Sequence, residues 1–264
     1  MEFSWSNLPG KPSLRDIWNQ PLDYQADNLI TRIIIRSIMM LGNRYLLKIG
    51  GALHQIDPAN DPFILALNHS QRYEAMMIPA ILYHYRRGKL VHFLADWNFA
   101  MIPIVGLIYR HSESIVVTHK RAKPAFLNRF KRFYEHPVPA MDRALERLLQ
   151  GKSVGIFPEG TVNRDPDYLM RGHTGAAMLS LKSGAPILPL GIRFPLHPKG
   201  RPIPDGAKIE LEFGNPIHPP EPLDREKLKN EETQAVHEQI MKALAELSGK
   251  RWSPDARKRK KQIL

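Results

Sequence analysis

The sequence predicts an α/β fold: a mixed central sheet flanked by helices, with an N-terminal amphipathic helical segment before it. Two observations carry that expectation. Short apolar or β-branched runs of strand length alternate with stretches of helical periodicity from residue 63 onward. The 264 residues are 43% hydrophobic and 24% charged, which places the chain among globular proteins and gives it material for one sizeable core.

Taken in order, residues 29–41 (LITRIIIRSIMML) form the most apolar segment, too short for the ~20 apolar residues of a membrane span. Arg32 and Arg36 interrupt it at i, i+4 spacing and so project from one face of a helix. Ile30, Ile33, Ile34, Ile38 and Leu41 cover much of the rest. This pattern is that of a basic amphipathic helix lying in a headgroup layer, the alternative being a helix packed on the protein's own core. Arg44 and Lys48 continue the basic character and favour the membrane reading. FILALN (63–68) has strand length, 75–86 is helical, and VHFLA (91–95) and ESIVVT (113–118) are strand-like. Proline and charge fill 120–139, where no element is expected. AMDRALERLLQ (140–150) has helical periodicity and Gly151 stops it. VGIF (154–157) is a strand, 174–183 a helix, PILPLGI (186–192) and KIELEF (208–213) strands, and 231–248 a polar-faced helix. No internal repeat is visible. The expected division is 1–50 as a membrane-associating segment, 51–248 as the globular domain and 249–264 as a basic tail.

Charge narrows the partners. Lys+Arg 38 against Asp+Glu 26 leaves +12, which suggests an anionic partner: nucleic acid, anionic lipid, or a phosphorylated or CoA-linked substrate. Part of the excess lies at the end, in KRWSPDARKRKKQIL. No zinc-finger spacing or aromatic-rich RNA-binding signature accompanies it, so no nucleic-acid partner is expected. There is no cysteine, which removes thiol nucleophiles, disulfides and cysteine metal sites together. MEFSWSNLPGKPSLRD has no basic start followed by an apolar run, so no secretory signal is expected.

Several motifs fail on context. GKSVG (151–155) matches G-x-S-x-G, but a nucleophile elbow needs a strand before and a helix after, and here the order is reversed. Ser153 is therefore expected to be a turn residue. The P-loop resemblance of the same GKS fails because Glu146 stands where a glycine is required. NHS (68–70) fits a glycosylation sequon, discounted for want of a secretory signal. No H-E-x-x-H occurs, and His54, His84 and His92 lack ligand spacing.

Four stretches remain: NHSQRYE (68–74), IPIVGLIYRHSESIVVTHKR (102–121), GIFPEGTVNRD (155–165) and GAAMLSLKSGAPILPLGI (175–192). Their order, separations and the FPEGT string resemble the glycerolipid acyltransferases, typified by 1-acylglycerol-3-phosphate acyltransferases (PlsC-type), over roughly residues 60–195. Transfer of an acyl group from a thioester to an alcohol needs a base for the hydroxyl. Histidine suits the role because its ordinary pKa of about 6.5 leaves it neutral in large part at physiological pH. A carboxylate on its other nitrogen fixes the tautomer and stabilises the imidazolium. In the family these are the two ends of H-x-x-x-x-D, and His69 takes the first position.

The second position departs from the family: it is Glu74, with one more methylene than Asp. Residues five apart on one helix lie about 140° apart, so the pair can meet only if His69 sits in the turn and Glu74 in the first helical turn, which Ser70 is placed to cap. On this reading Glu74→Asp preserves or raises activity. By resemblance Glu159, Gly160 and Thr161 bind the acyl acceptor. His119 occupies the position of a family arginine, so Lys120 or Arg121 is expected to supply the cation, with Arg164 close by as another candidate. His173, with Arg171 nearby, replaces a family lysine. Ile187, Leu188 and Leu190 are expected in the core. The resemblance implies a peripheral membrane protein on the cytoplasmic face, with acyl-CoA or acyl-ACP as co-substrate, a lyso-glycerolipid acceptor, no bound cofactor and no metal. A non-catalytic lipid- or protein-binding member of the same fold is the alternative.

Overall fold

Alternating elements close into one mixed sheet with helices on both faces. The computed structural model describes residues 11–25, 29–118, 121–122, 125–198, 200–220 and 229–255. Its strands are β1 (Leu46–Gly51), β2 (Ile64–Leu67), β3 (His92–Asp96), β4 (Ile115–Val117), β5 (Val154–Ile156), β6 (Ile187–Arg193) and β7 (Ile209–Phe213). Its α-helices are α1 (Leu14–Asn19), α2 (Leu29–Asn43), α3 (Glu74–Tyr85), α4 (Trp97–Ala100), α5 (Pro103–His111), α6 (Ala140–Leu149), α7 (Gly175–Ser183) and α8 (Asn230–Ser248). The strand order is β1-β7-β6-β2-β5-β3-β4. β6, β2, β5, β3 and β4 run parallel, while β7 is antiparallel to β6 and parallel to β1.

The central strands are covered on both faces, which is why they read as continuous apolar runs. Along β2, Leu65 and Leu67 join the core under α2 and α3, and Ile64 and Ala66 join the core under α6, α7 and α8. Leu188 and Leu190 are buried on the first side and Ile187 on the second, in keeping with the sequence reading. A Cβ at Gly191 of β6 would lie 2.4 Å from the Leu247 backbone, so glycine is what lets the end of α8 rest on the strand.

Three differences from the sequence reading have physical causes. β1 is an edge strand, with Leu46 and Ile49 buried and Lys48 outward, so it carries too little apolar pattern to be seen. The boundary drawn at residue 50 falls inside it. Residues 125–133 form a 3₁₀ helix (Ala125–Phe133) with no buried residue, in a stretch where no element was expected. α2 is helical as expected, but one of its two arginines turns inward. Ile35 and Met39 are buried and Arg36 donates to the Gln20 carbonyl at 2.8 Å, while Leu29, Ile30, Ile33 and Leu41 are exposed. α1 and the chain after it supply the acceptor that draws the arginine inward. No helix among the described residues is long and apolar enough to cross a membrane.

The far end differs as well. Gly249, at φ +71°, caps α8, and Lys250, assigned to the basic tail, is buried. The basic run 256–264 lies outside the described residues.

Candidate active site

The site lies where β2 and β5 end at their carboxyl termini, the usual place for a ligand in an open α/β sheet. Asn68, fully buried, follows β2 and is locked to β6: its amide donates to the Ile192 carbonyl and its oxygen accepts the Ile192 N–H. That internal role disposes of the sequon. The next residues turn sharply, and each is tied to a different part of the chain. Gln71 spans to Ala207 and Gly206, and the Arg72 N–H donates to Asp205.

Within this turn His69 Nδ1 lies 2.8 Å from Glu74 Oε2. The Ser70 N–H donates to the same oxygen, also at 2.8 Å. Glu74 is fully buried, and the His69 side chain is 13% exposed. α3 begins at Glu74, so only the acid is helical and the angular objection to a five-residue spacing does not arise. Ser70 does not cap α3. Tyr73 occupies the N-cap position without a side-chain bond, and the Ser70 hydroxyl instead accepts from Lys250 Nζ at 2.8 Å. The ring of Phe157 packs on the imidazole, centroid to centroid 4.2 Å.

The FPEGT stretch forms the turn after β5, as its residues suggest. Gly160 has φ +65°, a conformation suited to glycine, and its N–H closes the turn on Phe157 O. Glu159 is not presented to the cleft. Its Oε1 accepts the His69 N–H at 3.1 Å, and its Oε2 accepts from Asn163 Nδ2 at 2.7 Å and the Met170 N–H at 2.9 Å. With these donors converging on a buried carboxylate, the acid ties the histidine turn to the 158–170 loop. Burial pushes its carboxyl above the usual range, opposed by the Met170 and His69 N–H groups.

A cleft of about 1170 Å³ opens over this turn. His69, Gly160, Thr161, Arg72, Arg121 and His173 line it, with Phe93, Phe99, Ile102, Leu127 and Met178 among its apolar walls. Of the expected cations, Arg121 is therefore at the cleft. Lys120, like His119, lies outside the described residues. Arg164 does not line the cleft, because Asp205 at 2.7 Å and the Ile203 carbonyl at 2.6 Å engage its guanidinium. Ser153 is buried before β5, donating to Asp61 and accepting the Phe63 N–H, as a structural turn residue does. Among the described residues no group of three or more His, Asp or Glu is placed to hold a metal.

Two residues of the site escaped the sequence reading. Arg72 stood in a quoted stretch and could have been marked as a cation beside His69. Lys250 lies 180 positions from Ser70 and gave no local signal.

Residues 52–193 match the family model described as Acyltransferase, and the chain belongs to that family. Its relatives include the chloroplastic 1-acyl-sn-glycerol-3-phosphate acyltransferases LPAT1 of Arabidopsis thaliana and BAT2 of Brassica napus. The first is 27% identical over 66% of this chain and 44% of that protein, the second 25% over 62% and 41%. The chain thus spans less than half the length of these curated relatives. Among solved structures it is similar to the 1-acyl-sn-glycerophosphate acyltransferase PlsC from Thermotoga maritima, with TM-score 0.53, 25% identity and coverage of 84% of this chain and 83% of that one. The glycerolipid acyltransferase resemblance carried by the four stretches, and the mixed α/β sheet it implied, are borne out.

Proposed function

We propose that the protein transfers a fatty acyl group from the thioester of acyl-CoA or acyl-ACP to the hydroxyl of a lysophospholipid or related glycerolipid. The observation that carries this reading is the 2.8 Å contact between His69 and a buried Glu74 at the wall of a large, mainly apolar cleft. With Nδ1–H donating to Glu74, the imidazole lone pair is on Nε2. Nε2 takes the proton of the acceptor hydroxyl as its oxygen attacks the thioester carbonyl. The tetrahedral adduct collapses, the C–S bond breaks, and the imidazolium returns its proton to the departing thiolate. Glu74 stabilises the imidazolium and holds the ring. The thioester is already activated and the base is a side chain, so the step as written uses neither metal nor bound cofactor.

Gly160 and Thr161 line the cleft with His69, and Glu159 ties the His69 turn to the 158–170 loop behind them. Arg121 and Arg72 give the cleft cationic character suited to a phosphate on the acceptor, with His173 beside them. The apolar wall suits an acyl chain. The exposed Leu29, Ile30, Ile33 and Leu41 of α2 suit contact with a lipid surface, which makes the protein peripheral on this reading. The test pairs labelled acyl-CoA and acyl-ACP in turn with a panel of lyso-glycerolipids. An acylated lipid product is expected for at least one pairing, with lysophosphatidic acid the first acceptor to try. Absence of product from every pairing would leave the non-catalytic lipid-binding alternative standing.

A further inference from the structure

The buried amino group of Lys250 belongs to no step written above. Its Nζ donates to Ser70 Oγ at 2.8 Å and to the Asp165 carbonyl at 2.7 Å. It thus bridges the turn that carries His69 to the loop that carries Asn163, whose N–H in turn donates to the His69 carbonyl at 2.7 Å. The lysine arrives from the opposite end of the chain, aimed into the site by the left-handed Gly249 cap of α8. Its position is electrostatically specific. Two buried carboxylates flank the His69 turn, Glu74 bonded to the ring and Glu159 bonded to the backbone N–H. Burial pushes the Lys250 ammonium below its ordinary range, while Glu159, Glu74, Asp165 and Asp167 oppose that in decreasing order. A cation is retained in such a place only where anions and acceptors compensate its desolvation.

We infer that Lys250 is a positioning residue for the His69 base, joining the two turns of the site and offsetting the negative charge of Glu74 and Glu159 around the histidine turn. This rests on the acyl-transfer reading for its consequence but not for its measurement. Among the described residues, the charged or titratable groups facing the histidine turn are Glu74 from α3, Glu159 and His173 around the turn after β5, Asp165 and Asp167 from the same loop, Asp205 on the Arg72 N–H with Arg164 paired to it, Arg72 and Arg121 at the cleft, and Lys250 itself. Removing this buried cation leaves Glu74 and Glu159 less compensated, which favours the imidazolium. The proton on the base is then harder to remove, and less of the protein is competent near neutral pH.

The experiment is an NMR titration of the histidine ring resonances in wild type and Lys250→Met. The His69 signal is identified by its loss in His69→Ala. The midpoint of that signal is expected to move about 1 unit to higher pH in Lys250→Met, the order of effect of a nearby charge. In the transfer assay, the acidic limb of the kcat/KM profile should move with it while KM changes less than about twofold. An unmoved midpoint in folded Lys250→Met overturns the inference, whatever becomes of the transfer reading. Should Lys250→Met fail to fold, Lys250→Arg carries the test. It keeps the charge but cannot hold both acceptors in the same geometry, so a kcat loss with an unmoved limb is expected. Wild-type kcat in that variant overturns the joining role.

Discussion

His69 differs from His84 and His92, and the difference separates chemistry from burial. His69 sits at the carboxyl edge of the sheet against a cleft, bonded to a fully buried acid. His84 closes α3 and His92 opens β3, both buried at the amino edge. His92 also has an acid near it, Glu113 at 3.8 Å, but that carboxylate is largely exposed and lies 2.7 Å from Arg147. Burial holds both of these rings down at about 4, for His84 against the pull of Asp16 and for His92 with Arg147 adding to the effect. An acid near a histidine therefore means little. What marks a base is an acid that is itself buried and whose oxygen is shared between the ring and the turn that presents it.

The amino-edge pair gives the largest effect. The unfolded chain binds a proton at each ring from about 6.5 downward, and the folded chain refuses it until about 4. Stability should therefore fall as the pH drops through that interval and level off below it, by on the order of 3 kcal/mol for each ring. Denaturant melts of wild type and His84→Gln at pH 7 and 4.5 check this. The variant should lose less stability on acidification, and an equal loss in both would show that His84 contributes nothing to it.

At the carboxyl edge a smaller and more specific effect is expected. The family pattern suggested that Glu74→Asp preserves or raises activity. The geometry reverses that expectation, because Glu74 Oε2 is 2.8 Å from both His69 Nδ1 and the Ser70 N–H. Aspartate at the same backbone position falls short by about one bond, roughly 1.5 Å. Activity should drop about tenfold, or ~1.4 kcal/mol, with little change in the apparent affinity for either substrate. Wild-type kcat in Glu74→Asp would mean that the 69–74 turn tightens freely, and the contrast with His92 would lose its force.

The sheet and its covering helices were legible because β2, β5 and β6 are buried on both faces and bounded by turn residues. His69 and Glu74 were legible because a local turn joins them. Edges and distant contacts were not. β1 pairs with β7 by backbone bonds that leave no pattern in LLKIGG, and Arg36 of α2 turns inward for a carbonyl on a neighbouring segment. Glu159 looked like a substrate ligand in FPEGT, and only its convergent donors show that it holds the turn. Arg164 looked like a phosphate cation until Asp205 engaged it, through a loop 41 positions away. Lys250 had no local sign at all.

His69 acts as the base on this mechanism, and the most direct measurement is labelled acyl transfer by His69→Ala beside wild type, at equal concentration and matched circular dichroism. Loss of the positioned base predicts a fall in kcat of about a thousandfold with the fold intact. Turnover within a few-fold of wild type in that folded variant would contradict it.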